Sequence, residues 1–263
     1  MGSQKIQGEL WGKRPKDWAN IQELTGDSGY RHALELLKIE PNQTLLDVGC
    51  GTGYFCDLAT KQEIDVTGID ASEELIKYAK KRNSNIKFLT GEMEELPFDD
   101  NSFDFVCGFN SYQYANNIKN AFTEAKRVLK DNGKLTVMIW GNKEDCEALT
   151  YLKTIESLLP PPPPGAAGPF ALSENKLLER TLEEVGFKII SSNDVDSIWD
   201  YPNSITALKG LLSAGPVAKA IDNSGFEKVF DAIDVDIQSY IQSDGGIIYK
   251  NKFRVVICET NNN

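Results

Sequence analysis

The chain has a single histidine, five cysteines without a C-x-x-C pair, and no long apolar run. The cysteine spacing argues against a structural zinc site and against a disulfide framework. A histidine-based metal site or a Ser-His-Asp triad would have to be built around His32 alone. The first residues, MGSQKIQGELW, lack the apolar segment of a signal peptide, and a spanning helix would need about 18 apolar residues. We therefore expect a cytoplasmic protein without a metal centre or membrane insertion.

Positive charge is also scarce. The 28 Lys and Arg residues stand against 39 Asp and Glu, a formal net charge of −11, and no basic block could neutralise a row of phosphates. This balance argues against a nucleic-acid partner. At 263 residues the chain is long enough for a substantial core, and we expect one elaborated domain.

Five apolar runs that end in turn-forming residues are predicted to be strands alternating with helices. The strand runs are 44–48, 65–69, 86–90, 103–109 and 135–140, and the helical stretches are 54–61, the one starting at Ser72, and the one from 118 to the DNG turn at 131–133. Alternation of this kind predicts a parallel, doubly wound α/β sheet with ligands beyond the carboxyl ends of its strands. Residues 49–53, 70, 91–94 and 110–114 should therefore share one crevice.

The glycine-rich stretch of residues 45–53, LLDVGCGTG, is the most informative part of the chain. A dinucleotide fingerprint, G-x-G-x-x-G, would require a third glycine at position 54, which is a tyrosine. Asp47, two residues before the first glycine, suits an ammonium group better than two phosphates, because like charges repel. Asp70, at the end of the second strand, could accept hydrogen bonds from a ribose, although either acid could also be a simple cap. Together they favour S-adenosylmethionine.

Residues 44–140 resemble the core of the class I S-adenosylmethionine-dependent methyltransferases, most closely the small-molecule type of ubiquinone and menaquinone biosynthesis. The resemblance rests on LDVGCGTG, GIDAS, GEMEELPF and FNSYQYA. It implies a Rossmann-like, seven-stranded, mostly parallel sheet. It also implies cofactor contacts from Asp47, Gly49, Cys50, Gly51 and Gly53 to the methionine end, from Asp70 to the ribose, from Ala71, Glu92 and Met93 to the adenine, and from Asn110 beside the methyl. Glu92 and Met93 replace the family's usual Asp and Ala.

Aromatic residues before the first strand add candidates for the site. Trp18, together with Trp11 and Tyr30, could stack on the cofactor or attract its cation, and core packing is the alternative for all three. His32, Tyr112 and Tyr114 could remove a proton from an acceptor, and a packed or exposed position is the alternative for His32. The catalytic residues themselves are not predicted.

Segments outside this core are predicted to cover it. Residues 1–43 form a helical cover, 44–201 and 244–263 the cofactor-binding core, and 202–243 an inserted helical lid or a mere packing layer. Within the core we expect a helix at 173–185, a strand at 188–190 and a final strand or strand pair at 247–259. The proline run 160–164 is predicted to be a stiff connector, the alternative being a ligand for another protein.

These observations predict transfer of a methyl group from S-adenosylmethionine to a small-molecule acceptor by in-line displacement. Two alternatives stay open: a nicotinamide-dependent oxidoreductase, and a catalytically inactive S-adenosylmethionine-binding module. The acceptor atom, the substrate, the pathway and the oligomeric state are not predicted by the sequence.

Overall fold

The computed structural model describes residues 2–161 and 168–260. Seven strands form one sheet in the order β3-β2-β1-β4-β5-β7-β6. Their bounds are β1 Thr44–Val48, β2 Asp65–Asp70, β3 Lys87–Thr90, β4 Phe103–Phe109, β5 Leu129–Trp140, β6 Phe187–Tyr201 and β7 Ile247–Thr260. The first five strands pair in parallel, whereas β7 runs antiparallel to both β5 and β6. This confirms the predicted mostly parallel, doubly wound sheet.

Helices cover both faces of the sheet. Their bounds are α1 Gln4–Trp11, α2 Pro15–Asp17, α3 Asp27–Leu37, α4 Tyr54–Thr60, α5 Glu73–Arg82, α6 Ile118–Val128, α7 Leu149–Leu158, α8 Leu177–Glu184, α9 Ser204–Leu211, α10 Gly215–Ser224 and α11 Phe226–Ile237. A π-helix at Trp18–Gln22 and short 3-10 helices at Glu23–Gly26, Tyr112–Tyr114, Lys143–Asp145, Glu174–Lys176 and Gln238–Tyr240 complete the described elements.

The core lies in two layers, one on each side of the sheet. One layer packs α3, α4 and α5 against the strands, and the other packs α6 and α8. Strand β1 is buried on both of its faces from Leu45 to Val48, because it lies between β2 and β4 and beneath both helix layers. Its continuous apolar run is typical of a parallel strand.

Three predicted boundaries differ from the structure. Strand β6 has 15 residues rather than the predicted three. It is an edge strand, and many of its side chains are polar and exposed to solvent, so the sequence lacks the apolar pattern from which a strand is predicted. Helix α6 ends at Val128, before the DNG turn, which instead lies in the irregular start of β5. The predicted helix at 173–185 is interrupted because Asn175 and Lys176 adopt left-handed conformations.

The N-terminal helices and the segment 202–243 pack against each other above the strand ends. Helix α1 contacts α10, the π-helix contacts α9, and α11 contacts α7. Pro162, Pro163 and Pro164 of the proline run lie outside the described residues. In the part of the chain that the structure describes, no helix combines the length and apolarity needed to cross a membrane.

Candidate active site

The loop between β1 and α4 has a backbone that requires glycine. Gly49, Gly51 and Gly53 have φ angles of +80°, +55° and +78°, a region that side chains other than glycine rarely adopt. A Cβ atom on Gly49 would lie 2.3 Å from the Cβ of Ser111. The amide nitrogens of Gly49 and Cys50 donate to the carbonyl of Ile69, at 2.8 and 3.1 Å, which ties the loop to β2.

Asp70 is the last residue of β2, and its carboxylate accepts hydrogen bonds from two backbone amides. Gly51 N donates to Oδ2 at 2.9 Å, and Ser72 N donates to Oδ1 at 2.7 Å. Burial raises the pKa of this carboxyl to about 6, although the two amides oppose the shift. Asp70 therefore links the glycine loop to the start of α5 and remains an acceptor at neutral pH.

A cavity of about 100 Å³ opens above the glycine loop. We call it the cofactor cavity. Its lining residues are Gln7, Trp11, Trp18, Gln22, Glu23, Thr25, Gly26, Tyr30, Gly49, Gly51, Asp70, Ala71, Leu75, Met93, Phe109, Asn110, Ser111, Tyr114 and Phe253. Of the residues predicted to contact a cofactor, the structure brings seven into this lining: Trp18, Gly49, Gly51, Asp70, Ala71, Met93 and Asn110.

Asp47 lies beneath the loop rather than in the lining. Its side chain is buried, its Oδ2 accepts a 3.4 Å hydrogen bond from the thiol of Cys56, and its Oδ1 has no partner. Burial raises its pKa to about 8. An unpaired acid directly under a glycine loop is costly to the fold, and a cationic group of a ligand would offset that cost.

The other predicted residues lie outside the lining. Glu92 points away from it and accepts hydrogen bonds from Gln4 N at 2.7 Å and from Ser3 Oγ at 3.3 Å, which fastens the start of α1 to the core. Gly53 packs against the ring of Phe88, and Cys50 is buried in the core.

The N-terminal helices form the roof of the cofactor cavity. Trp18 lies above the glycine loop, since its Nε1 would be 3.2 Å from a Cβ on Gly51, and this N–H has no partner. Trp11 contacts Trp18 edge to face at 4.9 Å between ring centroids, and contacts Tyr114 in the same manner at 5.4 Å. No residue of the segment 202–243 lines this cavity among those described.

A buried ion pair that the sequence analysis missed holds this roof in place. Glu23 Oε1 accepts from Thr52 N at 2.8 Å, and its Oε2 accepts from the hydroxyl of Thr52 and from Arg82 Nη1, both at 2.5 Å. Arg82 also donates to the carbonyls of Thr52 and Ala19. Neither residue stands in a recognisable motif, so only the three-dimensional contact identifies them.

The candidate bases differ in their positions. His32 and Tyr112 lie outside the cofactor cavity, and Tyr112 is fully buried against Phe122. Tyr114 lines the cavity, and burial raises its pKa to about 12. A phenol with this pKa stays protonated at neutral pH, so Tyr114 is a hydrogen-bond donor rather than a base.

Comparison with known proteins identifies the family. Residues 46–137 match the family model for a methyltransferase domain. An O-methyltransferase of Aspergillus nomiae is 30% identical over 181 residues, which cover 66% of this chain and 75% of that protein. The chain belongs to the class I S-adenosylmethionine-dependent methyltransferases.

Other relatives agree with this membership. A demethylmenaquinone methyltransferase of Renibacterium salmoninarum is 39% identical over 97 residues, 37% of this chain and 41% of that protein. A crystal structure of an S-adenosylmethionine-dependent methyltransferase from Aquifex aeolicus has a TM-score of 0.55 at 20% identity, covering 70% of this chain and 92% of that one, and shows the shared fold. The chain spans only 41 to 53% of the first three curated relatives it matches. These matches give the nicotinamide-dependent alternative no support.

The described residues fit the family's cofactor, S-adenosylmethionine. Gly49 and Gly51 line the cofactor cavity without side chains, which lets a ligand approach the backbone of the loop. Two unpaired buried polar atoms, Trp18 Nε1 and Asn110 Oδ1, belong to residues of the lining, and a third, Asp47 Oδ1, belongs to a residue beneath the loop. A donor and two acceptors match a ligand that carries both a carboxylate and an ammonium group.

Proposed function

We propose that this protein transfers a methyl group from S-adenosylmethionine to a small-molecule acceptor. The observation that carries the proposal is the placement of Asp70 and the glycine loop in the lining of the same cavity, in a chain of methyltransferase ancestry. The surrounding polar atoms suit a zwitterionic ligand without phosphates.

We assign the binding contacts from these positions. Asp70 keeps free acceptor capacity beside its two amide contacts and would accept from the ribose hydroxyls. Met93 and Ala71 line the apolar part of the cavity and would pack on the adenine. Asp47 and Asn110 would accept from the ammonium group, and Trp18 Nε1 would donate to the carboxylate. Glu92 has its oxygens engaged by α1, so we do not assign it to the adenine.

The proposed reaction requires little acid–base catalysis from the protein. When bound, the cofactor's sulfonium supplies a methyl group that is already activated, so no protein nucleophile is needed. Trp11, Trp18 and Tyr114 line the cavity and would limit the entry of water once it is occupied, which would strengthen polar contacts inside it. Holding the acceptor in line with the methyl is then the principal contribution, worth up to ~7 to 11 kcal/mol in favourable cases.

We also propose roles for residues 1–43 and for the segment 202–243. Residues 1–43 would cover the cofactor, because α1 and the π-helix line its cavity. The segment 202–243 would act on the acceptor side, where Pro216 and Lys219 of α10 line a second cavity. The cytoplasmic location and the absence of a nucleic-acid partner stay predictions from composition.

Calorimetric titration tests the proposal. Wild-type protein is expected to bind S-adenosylmethionine and S-adenosylhomocysteine and not NAD. Asp70→Asn should weaken both by about 10- to 100-fold, since a hydrogen bond to a charged group contributes roughly 1.5 to 3 kcal/mol. The matched control is Asp65→Asn, at the exposed opposite end of β2, which should bind like wild type. Binding of NAD alone would refute the proposal.

A further inference from the structure

A second cavity lies beside the first, between α1, α7 and α10. We call it the acceptor cavity, and its volume is about 360 Å³. Its lining residues are Ile6, Gln7, Leu10, Gln113, Tyr114, Trp140, Leu152, Ile155, Glu156, Leu159, Pro160, Gly168, Pro169, Pro216 and Lys219. Three layers of the fold contribute to it, namely the N-terminal cover, the sheet edge and the inserted helices.

The two cavities share a wall. Gln7 and Tyr114 line both, and Trp11 braces Tyr114 from the cofactor side at 5.4 Å between ring centroids. A molecule in the acceptor cavity is therefore separated from the cofactor cavity by two side chains. Small movements of these two side chains would bring the contents of both cavities into contact.

The interior of the acceptor cavity is apolar and uncharged. Leu152 and Ile155 of α7 line it together with Leu159, which directly follows that helix. Among the described lining residues, the charged ones are Glu156 and Lys219, which are exposed to solvent and so stand at the mouth. Burying a charged ligand among such residues would cost its hydration without a partner, whereas an apolar ligand gains from burial at about 25 cal/mol per Å².

One polar group inside this lining lacks a partner. Gln113 belongs to the 3-10 helix after β4, and its Oε1 is buried without a hydrogen bond. An amide oxygen in this state accepts a hydrogen bond from a hydroxyl or N–H group. Tyr114, the next residue, lies in the wall toward the cofactor cavity. The polar end of a ligand would therefore lie next to the shared wall.

We propose that the acceptor cavity holds the methyl acceptor, and that this acceptor is an uncharged, largely apolar molecule bearing one hydroxyl or N–H group at the Gln113 end. This rests on the proposed methyltransferase function. In the transfer, a lone pair of the acceptor oxygen or nitrogen forms the new bond to the methyl carbon, the carbon–sulfur bond breaks with its electrons on sulfur, and the acceptor's proton passes to water.

The test measures binding rather than turnover. 2-Naphthol, a neutral hydroxyl-bearing probe, is titrated into the full chain with and without saturating S-adenosylhomocysteine, and 2-naphthoate serves as its charged counterpart. We expect 2-naphthol to bind in both conditions, and 2-naphthoate to bind at least about tenfold more weakly because of its buried charge. Leu152→Asp should abolish 2-naphthol binding. Ile205→Asp, at a position 68% exposed on α9, should leave it unchanged.

A second variant guards against misfolding of the first. Gln113→Leu should weaken 2-naphthol by about fivefold or more, the value of one hydrogen bond, and leave naphthalene binding unchanged. Three results would overturn the proposal: equal binding of both probes, binding that Leu152→Asp does not affect, and no binding of 2-naphthol at about 1 mM, a weak-affinity limit. Retained binding of S-adenosylhomocysteine in any of these cases would leave the proposed function standing.

Discussion

The roof over the cofactor cavity depends on one buried carboxylate. Glu23 has a side chain only 4% exposed, and it bridges Thr52 of the glycine loop to Arg82 of α5. Burial raises the pKa of Glu23, and the charge of Arg82 opposes that shift. Glu23→Ala would remove every one of these contacts at once, so it tests whether the pair fastens the N-terminal cover to the core.

The expected cost comes from the geometry. Removing one partner of a buried ion pair costs about 3 to 5 kcal/mol, because the other charge is left without compensation. The side chain of Arg82 is 25% exposed and also donates to two carbonyls, so part of its charge can be rehydrated. We therefore expect the lower end of this range, about 3 kcal/mol. Cofactor affinity should fall as well, since Glu23 lines the cavity.

Urea unfolding of wild type and Glu23→Ala measures this difference, and calorimetric titration with S-adenosylhomocysteine measures the loss of affinity. The matched control is Glu74→Ala, which breaks an ion pair with Lys77 whose side chains are 55% and 53% exposed. That control should change stability by less than about 0.5 kcal/mol. A Glu23→Ala variant that loses less than about 1 kcal/mol, within the range of ordinary substitutions, would refute the role of the pair.

Three further changes test the rest of the site. The pKa of Asp47 is raised from 3.8 to about 8, so the stability contributed by its protonated form is full below about pH 4 and is lost as the pH rises through 8. Urea unfolding should therefore show wild type losing stability relative to Asp47→Asn over that pH range. Parallel curves of stability against pH for the two proteins would contradict this. Gly49→Ala should lose at least about 1 kcal/mol and most S-adenosylhomocysteine affinity, because its Cβ would strike Ser111; unchanged melting and binding would count against the tight loop. Glu92→Gln keeps an acceptor for Gln4 N and should bind S-adenosylhomocysteine as wild type does. A tenfold loss of affinity would instead indicate that Glu92 contacts the cofactor.

Much of the fold could be predicted because the parallel strands are buried on both faces. Their apolar runs are continuous and end in glycines or acids, as at Asp70, so both their position and their carboxyl ends are visible in the sequence. Strand β6 could not be predicted at its true length, since polar residues such as Asn193 and Asp194 are exposed on both of its faces. The pairing of β6 with β7 joins residues that are far apart in the chain, so it too could not be predicted from local sequence.

The residues of the candidate site likewise include some that could be predicted from the sequence and some that could not. Residues at or just after strand ends, such as Gly49, Asp70 and Asn110, could be placed because the sheet brings strand ends together. Trp18 of the N-terminal cover could also be proposed from the sequence and lines the cavity, whereas Glu23 could not be placed, because it reaches the glycine loop only through tertiary packing. Glu92 shows the limit of motif reasoning, because α1 occupies its carboxylate in a contact 88 residues away in sequence.

Transfer of an isotopically labelled methyl group tests the central claim most directly. Wild-type protein is incubated with labelled S-adenosylmethionine and a metabolite extract separated into neutral apolar and charged fractions. The account predicts label in a product of the neutral apolar fraction, formed together with S-adenosylhomocysteine, and much less of both with Asp70→Asn at limiting cofactor. A wild-type protein that binds S-adenosylhomocysteine yet labels nothing in either fraction would contradict the account, and would make the chain a cofactor-binding module without catalysis.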